Sequence, residues 1–150
     1  MTIQNQIERA RKAFEQISDY TQEQVDKLVY EGAKIIYENA KPLAKMAVEE
    51  TRLGDYESKI GKNEGTAAAF WDYLKDKKSV GIINEDPSIG LIEAAHPIGV
   101  IGCITPATNP TVTPLGNFMH AVKCKNAVII SPAPRAEKTS TETVNLIRKA

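Results

Sequence analysis

The sequence contains few of the residues that hold metals or carry redox chemistry. Only two cysteines, Cys103 and Cys124, and two histidines, His96 and His120, occur among its 150 residues. Zinc sites and redox CxxC motifs need cysteines in close doublets, and these two cysteines lie far apart. The sequence therefore supports neither a metal site nor a disulfide framework.

An excess of charge and long apolar runs are also missing. Lysine plus arginine and aspartate plus glutamate number 19 each, so no net charge draws the protein to nucleic acid or an anionic membrane. No apolar run approaches the roughly 20 residues that cross a bilayer, and the first residues, MTIQNQIERARKAF, are charged and amphipathic rather than signal-like. We therefore predict a cytoplasmic protein that binds neither nucleic acid nor a membrane.

The composition is that of one globular domain, with 42% hydrophobic and 25% charged residues. Apolar residues recur at spacings of three and four in the first half, which predicts helices. These predicted helices cover 3–17, 22–39, a stretch that has Pro42 in its first turn and ends near Gly54, and 55–75. Thr21 and Gln24 have the spacing of a capping box at the start of the second helix.

After residue 77 the pattern changes to short β-prone runs. SVGIIN and GLIEAA flank the turn-forming stretch EDPSI and predict a hairpin. PIGVIGCIT and NAVIIS have the continuous apolar character of buried parallel strands, and a predicted helix over 111–123 separates them. A further helix is predicted from the capping-box spacing of Thr139 and Glu142.

The order strand, helix, strand, helix from residue 97 onward predicts an α/β protein with the start of a Rossmann-like parallel sheet. Ligands bind such sheets outside the carboxyl ends of their strands, and ITPATNP and SPAPR both follow a strand. Two strands cannot be covered on both faces by the helices that this sequence offers. We therefore expect the chain to be the N-terminal part of a larger polypeptide.

Asn109 lies between two prolines directly after a predicted strand. Pro106 ends the strand because it lacks a backbone donor, and Pro110 suits the first position of a helix. Asn109 is then a candidate N-cap, the commonest role for asparagine at such a place. The same position would also let its NH₂ group point at a developing oxyanion, and the two roles do not exclude each other.

The run HPIGVIGCITPATNPTVTP, followed by KCKNAVIISPAPRAEKTS, resembles the aldehyde dehydrogenase superfamily. The TNPT and SPxPRA-like segments point to its coenzyme-A-acylating branch, which includes acetylating acetaldehyde dehydrogenases and the amino-terminal half of bifunctional aldehyde-alcohol dehydrogenases. The similarity extends upstream through YTQEQVDKLV, PLAKMAVEET and KNEGTAAAFWDYLKDKKSVGII, and so covers nearly the whole chain. TNPTVTP with KCKNAVI is similar to enzymes for short polar aldehydes such as succinate semialdehyde or sulfoacetaldehyde.

The resemblance implies a reaction in which a cysteine thiolate attacks an aldehyde, hydride leaves for NAD or NADP, and coenzyme A takes the acyl group from the thioester. It implies that Asn109 holds the thiohemiacetal oxygen, with Thr108 as the alternative because the family motifs differ by one position. The nucleophile is expected beyond residue 150, so the fragment alone is expected to be inactive. The residues implied to line the cofactor crevice are Ile104, Thr105, Pro106, Ala107, Thr108, Asn109, Ser131, Pro132 and Arg135.

One position departs from the hydrolytic members of the family. Ser131 stands where those enzymes usually carry a lysine for the adenosine ribose, which leaves NAD versus NADP open. Arg135 is interpreted either as a phosphate contact or as a solvated surface charge. Both cysteines are interpreted as small hydrophobic residues rather than nucleophiles, and the two histidines as structural or exposed. Trp71 is interpreted as part of a packed helix rather than as a stacking platform.

The composition divides the chain near residue 77 into a helical part (1–77), followed by a hairpin (78–96) and the first strand-helix units (97–150). The resemblance implies that all three belong to the N-terminal part of the cofactor-binding domain, with the catalytic domain outside this chain. The hairpin resembles the start of the family's oligomerisation element, so a homo-oligomer is expected. Two alternatives remain: a hydrolytic aldehyde dehydrogenase, and a non-catalytic assembly module in which helix 3–17 docks onto a partner.

Overall fold

The computed structural model describes residues 2–150, which form six α-helices and four β-strands. The helices are α1 (Ile3–Ile17), α2 (Gln22–Glu38), α3 (Ala40–Thr51), α4 (Tyr56–Leu74), α5 (Val112–Lys123) and α6 (Glu137–Lys149). The strands are β1 (Gly81–Asp86), β2 (Leu91–Ala95), β3 (Val100–Thr105) and β4 (Ala127–Pro132), and a short 3₁₀ turn (Pro134–Ala136) precedes α6. None of the helices within residues 2–150 combines the length and the hydropathy that crossing a bilayer requires.

The helices of the first half confirm the sequence prediction. Local capping signals determine where some of them begin and end. The Thr21 hydroxyl accepts a hydrogen bond from the Gln24 amide at 3.3 Å, and the Gln24 side chain accepts one from the Thr21 amide at 2.9 Å. The predicted capping box is thus confirmed. The predicted end of α3 at Gly54 is wrong: the helix ends at Thr51, three residues earlier, because Arg52 takes the left-handed conformation (φ 58°).

The main core lies where α2, α3, α4 and α5 pack together. Its most deeply buried members are Val29, Ile36, Leu43, Ala67, Leu115 and Met119. At one crossing, a Cβ atom added to Gly32 of α2 would lie 2.2 Å from the Phe118 ring of α5. The absence of a side chain at Gly32 therefore sets how closely these two helices approach.

The strands form two separate two-stranded sheets. β1 and β2 pair antiparallel as the predicted hairpin, and β3 and β4 pair parallel with α5 as the crossover between them. Both α5 and α1 pack against β3 and β4. The α/β prediction is confirmed, and α1 has a packing surface within the protein itself.

A buried ion pair joins α5 to α2. The Lys123 ammonium donates to the Asp26 carboxylate, and the two side chains are 3% and 23% exposed. Ser79, at the start of the hairpin segment, donates to the Lys123 carbonyl and receives a hydrogen bond from Gln22. These contacts fix the end of α5, and with it the start of β4, against the helical part.

The start of α6 differs from the sequence prediction. The predicted capping box of Thr139 and Glu142 is wrong, because α6 begins at Glu137 and Thr139 lies inside it. The cap comes from α3: the Glu50 carboxylate accepts from the Lys138 and Thr139 amides, both at 2.8 Å, and from the Thr139 hydroxyl at 2.6 Å. Burial raises the pKa of Glu50, but these hydrogen bonds outweigh it and hold that pKa below its usual 4.5.

Candidate functional site

The carboxyl ends of β3 and β4 meet at one edge of the parallel sheet. Thr105 pairs with Pro132 at this edge, and the Ala133 amide donates to the Thr105 carbonyl at 2.9 Å. This pairing brings the first residues of the predicted segments 104–109 and 131–135 side by side, as parallel strands require. In an open α/β sheet this edge is where ligands bind.

The side chains at the two strand ends alternate between exposed and buried. Ile104 is 90% exposed and Ser131 is exposed, whereas the Thr105 side chain is buried. The Thr105 hydroxyl and the nearby Thr111 hydroxyl are buried without a hydrogen-bond partner among residues 2–150. A buried hydroxyl is costly when unpaired, so this edge favours a polar partner such as water or a polar ligand.

The loop after β3 is held by side chains from two helices. The Lys59 ammonium of α4 donates to the Thr108 carbonyl at 2.7 Å, and the Ser140 hydroxyl of α6 donates to the Pro110 carbonyl at 3.1 Å. Both carbonyls belong to residues that precede α5 and lack a helical hydrogen bond of their own. The loop conformation is therefore set from outside the segment.

The Asn109 side chain is oriented by a third contact. Its Oδ1 accepts a hydrogen bond from the Lys62 ammonium of α4 at 3.0 Å. An ammonium group can only donate, so this contact identifies the oxygen of the amide and leaves the NH₂ group on the other side. Among residues 2–150 the NH₂ group has no hydrogen-bond partner, so it is available as a donor.

The N-cap interpretation of Asn109 is wrong. The residue before α5 is Thr111, and no side chain caps that helix within the described chain. Asn109 contributes its backbone carbonyl instead, which accepts from the Thr113 amide at 3.2 Å. The amide side chain is thus free of the structural role that would otherwise explain an asparagine at this position.

A small cavity lies between the start of α4 and this loop. Its volume is about 230 Å³, and its lining includes Asp55, Ser58, Lys59, Lys62 and Thr108. Asp55 uses its carboxylate to cap α4, accepting from the Ser58 amide at 2.9 Å. The hydrogen bonds from Ser58 hold the pKa of Asp55 below its usual 3.8, so this group stays ionised.

Lys59 is the buried charge of this cavity, since its side chain is only 8% exposed. Burial lowers its pKa below the usual 10.5, and the neighbouring Lys62 ammonium lowers it further. Sequence reasoning missed both lysines. They lie more than 40 positions before the residues they contact, and three residues apart on an ordinary amphipathic helix, so no local pattern marks them.

Arg135 has a structural partner at this edge. Its guanidinium donates to the Thr51 carbonyl at 2.6 Å, at the C-terminus of α3. Arg135 is exposed, as a surface charge would be, but it also has this protein partner, and a phosphate contact stays a prediction. Together with Glu50, Arg135 ties α3 to the turn after β4.

A second, larger cavity of about 530 Å³ lies between α1, β4 and α6. Its lining is mainly apolar and includes Ile17, Ile129, Val144 and Ile147, with Pro132 at its edge. It does not include the loop that carries Asn109. Polar side chains such as Gln6 and Arg148 also line it, and of the residues predicted for the cofactor crevice only Pro132 is in the lining.

The residues that the sequence analysis set aside occupy structural positions. Cys103 lies in β3, where burial raises the pKa of its thiol above the usual 9.0, and Cys124 follows α5. A raised pKa disfavours the thiolate, as expected for a cysteine that is not a nucleophile. The ring nitrogen Nδ1 of His120 lies 2.7 Å from the Gly116 carbonyl, and Trp71 packs against Tyr30 with ring centroids 5.0 Å apart.

Comparison with known proteins identifies the family of this chain. The pattern that defines the Aldehyde dehydrogenase family matches residues 1–150. A succinate-semialdehyde dehydrogenase (acetylating) from Clostridium kluyveri is 46% identical over 147 residues, which cover 98% of this chain and 32% of that protein. A sulfoacetaldehyde dehydrogenase (acylating) from Bilophila wadsworthia is 43% identical over 154 residues, which cover 98% of this chain and 32% of that protein.

A solved structure agrees in fold. The acetylating aldehyde dehydrogenase from Geobacillus thermoglucosidasius superposes with a TM-score of 0.94 at 38% identity, covering 97% of this chain and 32% of the other. The chain thus spans about a third of the length of the relatives that it matches. The match runs through the helices, the hairpin and the β3–α5–β4 unit alike, and the chain belongs to the aldehyde dehydrogenase family.

Proposed function

We propose that this chain forms the first part of the cofactor-binding domain of a coenzyme-A-acylating aldehyde dehydrogenase. The reaction consumes an aldehyde, coenzyme A and NAD⁺ or NADP⁺, and yields an acyl-CoA thioester, the reduced cofactor and a proton. The acetylating and acylating relatives support this branch. The aldehyde is proposed to be short and polar, such as succinate semialdehyde or sulfoacetaldehyde.

The observation that carries the proposal is the orientation of Asn109. Lys62 holds the amide oxygen, so the NH₂ group is the part that faces away from α4 at the carboxyl edge of the sheet. An oriented amide donor stabilises an oxyanion without reorganisation during the reaction. In the proposed mechanism Asn109 donates to the aldehyde oxygen as negative charge develops on it.

The residues at the strand ends fit a bound nucleotide. The buried Thr105 hydroxyl lacks a partner among residues 2–150, and the exposed Ser131 hydroxyl lies on the neighbouring strand. Of these two groups, the exposed Ser131 hydroxyl is the one that a polar cofactor can reach and hydrogen-bond, since Thr105 is only 1% exposed. When bound, the nicotinamide cofactor supplies the hydride acceptor and coenzyme A supplies the thiol that takes the acyl group.

The proposal places the nucleophile outside this chain. Neither Cys103 nor Cys124 lies in the loop with Asn109, and the thiol of Cys103 has a raised pKa. The cysteine that attacks the aldehyde is therefore expected in the catalytic domain. A reaction that uses coenzyme A and NAD(P) also needs a compartment that supplies both, so the proposal includes the cytoplasm predicted from the sequence.

The hairpin supports a homo-oligomer as part of the proposal. β1 and β2 pair with each other, and their side chains Ile82 and Ile92 are 51% and 64% exposed. A two-stranded hairpin is marginal on its own and has two open edges, so it favours a partner strand. A second copy of the protein is the proposed source of that strand.

The experiment that tests the function uses the complete polypeptide. Formation of reduced cofactor is followed with a panel of short aldehydes, with and without coenzyme A, and the product is identified by mass spectrometry. The proposal expects cofactor reduction that depends on coenzyme A and yields a thioester. A free acid formed without coenzyme A would instead show the hydrolytic alternative, and no turnover with any aldehyde would contradict both.

A docking role for α1 is the weaker alternative. This helix packs against β3 and β4, which already accounts for its apolar stripe. Deleting residues 1–18 distinguishes the two roles. Packing predicts a lower midpoint of thermal unfolding, whereas docking predicts an unchanged midpoint and loss of the partner interaction.

A further inference from the structure

The cavity beside Asn109 contains two positive charges without an acidic partner. Within residues 2–150, neither the Lys59 nor the Lys62 ammonium lies within ion-pair distance of a carboxylate. Each donates to one neutral oxygen, the Thr108 carbonyl and the Asn109 amide oxygen. An ammonium group has three donors, so both lysines keep donors for a further acceptor.

This arrangement is costly for the protein alone. Lys59 is only 8% exposed, and a buried charge without a counter-charge is unfavourable. The Lys62 ammonium adds repulsion, and burial and this repulsion both lower the pKa of Lys59. An anion in the cavity would oppose both, because it supplies the missing counter-charge to each ammonium group.

Asp55 does not supply that counter-charge. It lines the same cavity, but its carboxylate accepts from the Ser58 amide as the cap of α4 and forms no ion pair with either lysine. With Lys59, Lys62 and Asp55 ionised, the lining keeps one net positive charge. An anionic group therefore matches the cavity better than a neutral or cationic group.

We propose that Lys59 and Lys62 recognise a carboxylate or sulfonate at the far end of the aldehyde substrate. This inference rests on the proposed function, and it names the substrate class and the residues that select it. Lys62 lines the cavity and also donates to the Oδ1 atom of Asn109, so the cavity adjoins the residue that is proposed to hold the aldehyde oxygen. The cavity of about 230 Å³ suits a short acid.

The first test compares two four-carbon aldehydes, succinate semialdehyde and butanal, with the complete enzyme. Lys62→Met is expected to lower the ratio of kcat/KM for succinate semialdehyde to that for butanal by about 10- to 100-fold, the range for a charge-assisted hydrogen bond. Any effect of the substitution on the orientation of Asn109 changes kcat/KM for both substrates and therefore cancels in the ratio. Lys62→Arg retains the charge and is expected to keep most of the preference.

The matched control is Lys75→Met, which removes the same charge from the other end of α4. Lys75 is exposed and lies 13 residues from Lys62, or about 20 Å along the helix. This variant is expected to leave the ratio unchanged. An equal loss in Lys62→Met and Lys75→Met would show a general charge effect and overturn the assignment. A wild-type enzyme that uses both aldehydes equally well would also overturn it.

A second test does not depend on turnover. Binding of succinate, which has the acid group but no aldehyde, is measured by calorimetry on the wild type, Lys59→Met, Lys62→Met and Lys75→Met. Saturable binding that weakens at least tenfold in the two cavity variants alone supports the inference. No binding to the wild type, or equal binding to all four proteins, overturns it. An enzyme that binds succinate yet forms no acyl-CoA would contradict the proposed function and not this site.

Discussion

Replacing Asn109 by alanine removes the amide that we propose as the oxyanion donor while leaving the fold in place. The side chain makes one described hydrogen bond, from Lys62 at 3.0 Å at an exposed position, so its loss costs little stability. The effect on the reaction is expected to be much larger. Loss of one preorganised oxyanion donor costs about 3–4 kcal/mol, which corresponds to about 10²–10³ in kcat.

Asn109→Asp separates the donor from the shape of the side chain. The carboxylate can still accept from Lys62, but it offers no N–H group and adds negative charge where the oxyanion forms. Its loss of kcat is therefore expected to equal or exceed that of Asn109→Ala. The assay is steady-state formation of acyl-CoA by the complete enzyme, with circular dichroism to show that each variant is folded.

Thr108→Val is the matched comparison, because Thr108 is the alternative position of the family amide. Its contact with Lys59 uses the backbone carbonyl, which the substitution retains. We expect kcat within about threefold of the wild type, well below the change expected for loss of an oxyanion donor. If Thr108→Val lost activity and Asn109→Ala kept it, the assignment of the donor to Asn109 would be refuted.

Three further predictions concern two contacts between helices and the exposed face of the hairpin. Glu50→Gln weakens the cap of α6 and is expected to lower the free energy of unfolding in urea by about 0.5–2 kcal/mol. Because the folded-state pKa of Glu50 is lowered, its stabilisation is present above pH 4.5 and is lost as the pH falls below that value. An equal difference in stability between wild type and variant at pH 3 and pH 7 would contradict this. Asp26→Ala leaves the Lys123 charge buried without its partner and is expected to lower the free energy of unfolding by about 3–5 kcal/mol. Lys123→Met is expected to lower it less, because the Asp26 side chain is 23% exposed and water can solvate its charge. Equal midpoints of thermal unfolding for the two variants would contradict this asymmetry. Ile92→Lys on the exposed face of the hairpin is expected to shift sedimentation of the complete protein to a smaller species, and an unchanged sedimentation coefficient would place the oligomer interface elsewhere.

The sequence was sufficient to predict the elements whose signals are local. Apolar periodicity marked the helices, and the capping box of Thr21 and Gln24 formed as predicted. The continuous apolar runs of β3 and β4 indicated parallel pairing, which is confirmed. The burial of both strands that the same runs predicted is not seen among residues 2–150, where most of their residues are half-buried or exposed. The other predictions succeeded because residues close together in the sequence determine these structures.

The two caps that were wrongly predicted, at Thr139 and Asn109, share one physical cause, which is competition from distant residues. Thr139 has the right spacing for a cap, but Glu50 of α3 reaches the amides at the start of α6 and takes that role. Asn109 has the right composition for a cap, but Lys62 of α4 holds its side chain. A charged side chain from another helix makes a stronger hydrogen bond than a local hydroxyl or amide, and the sequence spacing does not show that it is near.

The candidate site shows the same division between local and distant information. The resemblance led to Asn109 and to the two strand ends, and parallel pairing brings those ends together. The lysines that orient the amide and form the cavity were not predicted. They become visible only when α4 is placed against the loop after β3, which depends on how the whole helical part packs.

The central claim is that Asn109 donates to the oxygen of an aldehyde on its way to an acyl-CoA thioester. The most direct measurement is a single-turnover experiment with the complete enzyme, in which reduction of the cofactor and formation of the thioester are followed for the wild type and Asn109→Ala. The account predicts that the wild type forms one thioester per reduced cofactor, only with coenzyme A present, and that the variant forms both about 10²–10³ times more slowly. Equal rates in the two proteins, or a free acid as the product, would contradict it.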